Sequence, residues 1–174
     1  MDKLKLQKNR KGFTLVETLL YVSIVSIMLL VMSAFLFLIL QSRTKYQTIS
    51  EVDQEGIQVV QIITQTIRNS KKINVPAVGA SGATLSVDML DAGKTPTVFN
   101  SAGTNMQIKE GTGVITPLTA SKITVSGLSF SNVSMVNTPG VVKFQFTLTY
   151  VNLSGRNEYD YSKTFYGTAS LRFN

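Results

Sequence analysis

Hydrophobic residues fall into two consecutive blocks of different periodicity in the first 70 residues of this chain. The first block is a continuous apolar run over residues 13–40, which holds one charged residue, Glu17, and no glycine or proline. In the second block, apolar positions recur every three to four residues among Glu, Asp and Gln, as is typical of an amphipathic helix. These positions are Ile49, Val52, Gly56, Val59, Ile63 and Ile67. We predict one helix from about Phe13 to about Ser70, ending at the polar and basic stretch 69–72.

The composition changes from about residue 73 onward to Gly, Ser, Thr, Asn and β-branched residues with frequent turn signals. Residues 142–150 alternate strictly between apolar and polar and predict a strand with one buried face. A turn at 152–156 predicts an antiparallel hairpin with residues 158–166, and Gly167 then separates a last strand through Phe173. Weaker strands are expected at 84–89, 105–109, 121–125 and 128–130. The fold class predicted is α+β, a long N-terminal helix packed by its second half on an antiparallel β-sheet domain.

The apolar run is long enough to cross a membrane. As a helix it spans about 42 Å, against about 30 Å for the hydrocarbon core. Five basic residues precede the run, and Arg43 and Lys45 follow it, which favours an N-terminus inside and a C-terminal domain outside. We therefore expect four segments: a cytoplasmic leader (1–12), a transmembrane helix (13–40), an amphipathic continuation (41–72) and a β-rich exposed domain (73–174). A cleaved secretory signal would have a shorter apolar core and a small-residue cleavage site.

The residue composition excludes several kinds of chemistry. The chain has no His and no Cys, so it supplies no imidazole base, no thiolate and no disulfide. Five of its 17 basic residues belong to the leader, and the others form no dense run, which gives no strong signal for nucleic-acid binding. We expect no enzymatic activity, no cofactor and no metal site.

The junction between leader and apolar run reads KGFTLVE over residues 11–17. It resembles the processing and methylation motif of type IV pilins and of the related pseudopilins of type II secretion. The resemblance implies that a prepilin peptidase cuts between Gly12 and Phe13 and methylates the new N-terminal Phe13. It also implies that Glu17 pairs with the positively charged terminal amine, in the same or in a neighbouring subunit, during filament assembly.

The chemistry of these positions is consistent with those roles. A side chain at Gly12 would crowd the peptidase, and glycine lets the chain leave helical geometry at the membrane edge. In a helix Phe13 and Glu17 would lie on the same face, one turn apart. A carboxylate within an apolar run is costly and marks a functional partner, although Glu17 near the cytoplasmic interface could instead simply reach water.

The resemblance implies a lollipop-shaped structural subunit, inserted once in the cytoplasmic membrane and later extracted into an extracellular or periplasmic filament. Its implied partners are the prepilin peptidase, other pilin subunits through helix packing, the membrane, and an assembly platform protein with its ATPase. Three departures from common family patterns are visible: no proline within the apolar run, no cysteine for a C-terminal disulfide loop, and no recognisable calcium loop. The last two favour a minor subunit, and the missing proline predicts a straighter helix.

Two other functions stay open from the sequence. One is a pseudopilin of a type II secretion or DNA-uptake filament. The other is a surface-binding protein or enzyme on a permanent signal anchor. Four tyrosines, Tyr150, Tyr159, Tyr161 and Tyr166, could form an aromatic binding surface, but their strand spacing is more typical of cross-strand packing.

Overall fold

The computed structural model describes residues 12–135 and 138–172 of the chain. The chain divides into two units, one ending at Ser42 and one beginning at Arg43, and helix α1, Leu15–Arg68, includes residues of both. The predicted long helix is confirmed, with bounds that differ from the prediction by two residues at each end. The leader residues 1–11 and Phe173 of the predicted last strand lie outside the described residues.

The second half of α1 buries one stripe of side chains. The buried residues of α1 are Thr48, Val52, Gly56, Val59, Ile63 and Ile67. This set confirms the predicted stripe except at its start, where Thr48 is buried and Ile49 is only partly covered. A stripe at this spacing faces one direction along the helix, so α1 buries one side and leaves the opposite side in solvent.

The C-terminal end of α1 differs from the prediction. The stretch 69–72 does not end the helix, because strand β1, Ser70–Val75, already begins there. The Ser70 hydroxyl donates a hydrogen bond to the Ile67 carbonyl (2.7 Å), and the Arg172 backbone N–H donates to the Arg68 carbonyl (3.3 Å). Carbonyls at the end of a helix have no partner within the helix, so these two donors stabilise a stop at Arg68.

In the part of the chain that the structure describes, nine strands form two antiparallel sheets. The five-stranded sheet has the order β1-β3-β4-β5-β6, and the four-stranded sheet has the order β2-β7-β8-β9. After β1 the strands are β2 Ser81–Gly82, β3 Leu85–Met89, β4 Thr97–Ala102, β5 Asn105–Glu110, β6 Thr116–Pro117, β7 Ile123–Asn132, β8 Val141–Tyr150 and β9 Ser162–Ser170. Short 3-10 turns occur at Ala92–Lys94 and Asn157–Tyr159.

The core lies between α1 and the inner faces of both sheets. Val59 and Ile63 of α1 are fully buried in the same cluster as Phe99 of the first sheet and Phe130 and Phe146 of the second. This arrangement confirms the predicted α+β fold, in which the second half of the helix packs on antiparallel sheets.

Three strand predictions are corrected by the structure. Gly167 does not separate two strands but lies inside β9, opposite Phe144 of β8. A β-carbon on Gly167 would come within 2.2 Å of the Phe144 ring, so the glycine makes room for a cross-strand aromatic side chain. The predicted strands 121–125 and 128–130 are one strand, β7, with an irregular register around Gly127 at φ +61°. The hairpin of β8 and β9 is present, but β9 starts at Ser162 because a 3-10 turn precedes it.

Candidate processing and assembly site

Gly12 lies in open space at the entrance to α1. No other heavy atom would come within 4 Å of a β-carbon placed on it, and its φ lies outside the left-handed region. Neither crowding nor backbone strain within the described residues therefore requires a glycine at this position.

Thr14 caps the N-terminus of α1. Its side-chain Oγ1 accepts a hydrogen bond from the Glu17 backbone N–H (3.3 Å), and its carbonyl accepts one from the Thr18 N–H (3.2 Å). The first N–H groups of a helix have no partner within the helix, and a threonine at this position satisfies one of them. Helix α1 therefore begins at Leu15, and Phe13 precedes it, whereas the sequence pattern placed Phe13 inside the helix.

Phe13 nevertheless lies beside the helix face that carries Glu17. Its ring meets that of Tyr21 edge to face, with ring centroids 6.2 Å apart and an interplanar angle of 75°. Tyr21 follows Glu17 by four residues, so the two side chains share a face of the helix. The Phe13 ring, the Glu17 carboxylate and the Tyr21 ring are therefore grouped on one side of the start of α1.

The capping role of Thr14 was missed in the sequence analysis. The signal was present, since a Thr followed three residues later by Glu, just before an apolar run, is the capping-box pattern. In that pattern the Glu occupies the third helical position, near the positive end of the helix dipole, where a carboxylate is stabilised by about 0.3–1 kcal/mol. Glu17 therefore contributes to helix initiation as well as being the candidate assembly residue.

The apolar part of α1 exposes its side chains all around the helix. From Phe13 to Leu40 the large hydrophobic side chains are between 41 and 76 % exposed. Two serine hydroxyls within this segment bond to the helix itself, Ser23 to the Leu20 carbonyl and Ser26 to the Val22 carbonyl (both 2.8 Å). The segment is long and apolar enough to cross a membrane. Hydroxyls that bond internally lower the cost of placing such a helix in lipid.

Polar contacts connect the second half of α1 to β9. Asp53 accepts hydrogen bonds from Lys163 Nζ (3.0 Å) and the Tyr161 hydroxyl (3.4 Å), and Lys163 also lies over the Phe165 ring, 5.4 Å from its centroid. The hydrogen bond to Asp53 raises the pKa of Lys163 above its usual range. Both side chains of this ion pair are partly exposed, so the pair links helix and sheet with a contribution of at most about 1 kcal/mol.

The four tyrosines do not form a common surface. Tyr150 and Tyr159 stack on each other, with centroids 5.9 Å apart, and Tyr161 packs against the core. Tyr166 is 71 % exposed and faces away from them on the outer side of β9. Packing thus accounts for three of the four. Within residues 12–135 and 138–172, no three acidic side chains come together as a metal-ligand set.

Comparison with known proteins gives one match. Residues 7–33 match the prokaryotic N-terminal methylation motif. The match covers the end of the leader and the first part of the apolar helix, and it supports a type IV pilin-like prepilin with a membrane-anchored N-terminal helix. The matched motif is one of structural proteins rather than enzymes. No curated protein and no solved structure matches the chain significantly.

Proposed function

We propose that this chain is a structural subunit, and specifically a minor subunit, of a type IV pilus or a related filament. A prepilin peptidase removes residues 1–12, methylates Phe13, and leaves α1 as the membrane anchor and later the filament core. The C-terminal domain is on the outer side of the cytoplasmic membrane before assembly. An assembly platform protein and its ATPase move the subunit into the filament.

The observation that carries this proposal is the contrast between the two halves of α1. The second half buries one stripe against two sheets, whereas the apolar first half is exposed on every side. Such a surface is stable only in lipid or among other apolar helices. Moving it from lipid into a filament brings no hydrophobic gain, because lipid tails are as apolar as leucine. Helix packing, the Glu17 pair and energy supplied by the assembly machinery must therefore drive extraction.

The setting of Gly12 supports peptidase recognition. None of the described neighbours of Gly12 needs a glycine there, and contact with the peptidase would give the glycine its role. The Thr14 cap starts the helix two residues after the scissile bond. This start leaves the bond between Gly12 and Phe13 in non-helical chain, which a peptidase can bind in extended form.

Glu17 is proposed to receive the new terminal amine. Cleavage creates a positive charge at Phe13, whose ring already lies beside the face of the helix that carries Glu17. A buried amine and a buried carboxylate are each costly alone, and pairing offsets both costs. The pair forms within a subunit or with its neighbour as helices pack.

The processing step is tested by substituting Gly12 with valine in a host that has an active prepilin peptidase. We expect Gly12→Val to accumulate as the full-length precursor in the membrane, with the C-terminal domain still folded. The matched control is Gly82→Val, since Gly82 also has open space around it and no left-handed φ. The control should be cleaved as the parent chain is. Normal cleavage of Gly12→Val would contradict the proposed site.

A further inference from the structure

The outer face of the four-stranded sheet carries an open depression of about 530 Å³ beside Tyr166, a volume typical of sites for small ligands. We propose that this depression binds a glycan whose sugar units bear carboxylates. All of its lining residues belong to the second unit, and binding there is expected whether or not the chain is processed at Gly12. The polar side chains that line it come from β7, β8 and β9. They are Ser129, Ser131, Lys143, Gln145, Tyr166 and Thr168.

The strand register places these six side chains in two rows across the outer face. The rows are Ser129-Gln145-Tyr166 and Ser131-Lys143-Thr168. Successive residues of a strand point to opposite faces, and Phe130 and Phe144, which lie between the rows, belong to the core. Adjacent strands are about 4.8 Å apart and alternate residues about 6.8 Å apart, so the six groups cover about 10 by 7 Å. They therefore face the same ligand.

Polar side chains elsewhere on this face are paired across the strands. The hydroxyl pairs are Thr147–Thr164 (2.8 Å), Thr149–Ser162 (2.9 Å) and Ser131–Ser81 (2.7 Å). The other five members of the two rows make no side-chain hydrogen bond or ion pair with any residue that the structure describes. They offer one ammonium group, one amide and three hydroxyls to a ligand.

An irregularity in β7 separates the paired rows from the unpaired ones. Ser126 lies opposite Thr147 and Ser129 opposite Gln145, so β7 has one residue more than β8 between these pairs. Gly127, at φ +61°, allows this extra length by its left-handed backbone conformation. A bulge of this kind bends its strand and increases the local twist, and bulges are frequent beside functional sites. The depression lies directly beside this bulge.

Tyr166 supplies a surface on which a sugar ring stacks. Its side chain is 71 % exposed, and the paired strand β9 fixes its position. A sugar ring has C–H groups on its faces and hydroxyls around its edge. The C–H groups pack on an aromatic ring, and the hydroxyls need donors and acceptors beside it. The Gln145 amide, opposite Tyr166 on β8, provides both.

Lys143 determines the charge of the ligand. Among the described residues that line the depression it is the single charged one. An ammonium group forms a charge-assisted hydrogen bond with a carboxylate, which is stronger than a bond to a neutral hydroxyl. Single-stranded nucleic acid carries a charge on every phosphate and is bound by several cations and successive aromatic side chains. One lysine and one tyrosine among neutral groups therefore favour an acidic glycan over a nucleic acid.

Calorimetric titration of the full chain with short alginate oligosaccharides, whose sugar units all carry carboxylates, tests this site. The detergent that holds the chain in solution must lack a sugar headgroup, because such a headgroup would compete. We expect Tyr166→Ala to weaken binding about tenfold through loss of stacking. Lys143→Met should weaken it about tenfold through loss of the charge-assisted bond, and this difference should shrink at about 1 M salt.

Two matched controls are exposed residues of the same types on other surfaces of the second unit. Tyr46 lies in α1 and is 73 % exposed, and Lys109 is exposed in β5. Tyr46→Ala and Lys109→Met should bind as the parent chain does. Tyr166→Phe keeps the ring and should retain most of the affinity. Weakening of equal size in the controls would show that the depression is not the site.

Other ligands decide between the alternatives. Short cellulose oligosaccharides, which are neutral, should bind more weakly than alginate, and equal binding would overturn the role of the carboxylate. Tighter binding of a single-stranded oligonucleotide would overturn the glycan in favour of a nucleic acid. Failure of the folded parent chain to bind alginate would overturn the site and leave processing at Gly12 and filament assembly unaffected.

Discussion

The packing of α1 on the second sheet depends on a glycine at the centre of the buried stripe. Gly56 is the single glycine of α1, and a β-carbon on it would come within 2.0 Å of the Phe165 ring of β9. In an exposed helix, Gly→Ala is stabilising by about 1 kcal/mol, because alanine loses less backbone entropy on folding. We predict the opposite sign here: Gly56→Ala should destabilise the C-terminal domain.

The magnitude follows from how little the Phe165 ring can move. The ring is 8 % exposed and stacks on Phe146, with centroids 5.5 Å apart and an interplanar angle of 19°. An ordinary carbon contact needs about 3.5 Å, so the ring must shift by roughly 1.5 Å within a packed core. Overpacking of this kind costs about 1–3 kcal/mol. After the helix gain of about 1 kcal/mol is subtracted, the net loss is at most about 2 kcal/mol.

Urea unfolding of the full chain in detergent measures the difference in unfolding free energy between Gly56→Ala and the parent chain. Tyrosine fluorescence monitors the unfolding, since four tyrosines lie in residues 150–166. The control is Gly56→Ala in a Phe165→Leu background, which removes the ring. There the alanine should cost nothing or should stabilise, and the two substitutions should couple by at least about 1 kcal/mol. A higher unfolding midpoint for Gly56→Ala in the parent chain would refute the close contact between helix and ring.

Three further predictions concern the start of α1 and the β8–β9 loop. Glu17→Leu should be cleaved and methylated normally but incorporated poorly into filaments, because the new amine lacks its partner. An immunoblot of the filament fraction measures this, and incorporation at the level of the parent chain would count against the pair. Thr14→Ala should destabilise the first turn of α1 by about 1 kcal/mol, so the Glu17 amide should exchange faster than in the parent chain. Unchanged exchange would show that the cap contributes nothing. The hydrogen bond from Arg156 lowers the pKa of Glu158. The contact is therefore fully formed at pH values above the ordinary glutamate pKa, and it is lost as the pH falls through the lowered pKa. Arg156→Gln should move the NMR titration of Glu158 to higher pH, and an unmoved titration would contradict the pairing.

The helical part of the fold was predictable because its signals are local. A long run without glycine or proline and a three-to-four spacing define α1, and the buried stripe from Val52 to Ile67 follows directly. Strand β8 was predictable for the same reason, since strict alternation places Val142, Phe144, Phe146 and Leu148 on one face.

What the sequence analysis missed depends on contacts between distant residues. The role of Gly167 follows from the Phe144 ring on the adjacent strand, and that ring cannot be located from the glycine's own neighbours. Strand β1 carries Lys71 and Lys72 on an edge of its sheet, where polar residues are tolerated, so the stretch resembled a helix end. Strand β4, which buries Phe99, was also missed because its second half is polar and exposed.

The candidate site was located from the sequence because its chemistry lies within a few consecutive residues. Gly12, Phe13 and Glu17 were identified from order and spacing alone, and their roles in processing and assembly stay proposals. The Thr14 cap needed only the recognition of a second local pattern. The hydrogen bonds from Lys45 to the backbone of the β8–β9 loop could not be inferred, because those groups are more than 100 residues apart in the chain.

The most direct test of the proposed function is the mass of the N-terminal peptide of the chain recovered from filaments and from membranes of a host with an active prepilin peptidase. We expect the peptide from both fractions to begin at Phe13 and to carry one added methyl group. A chain that keeps residues 1–12 in that host, or that is absent from its filaments, would contradict processing at Gly12 and the role of α1 as a filament helix.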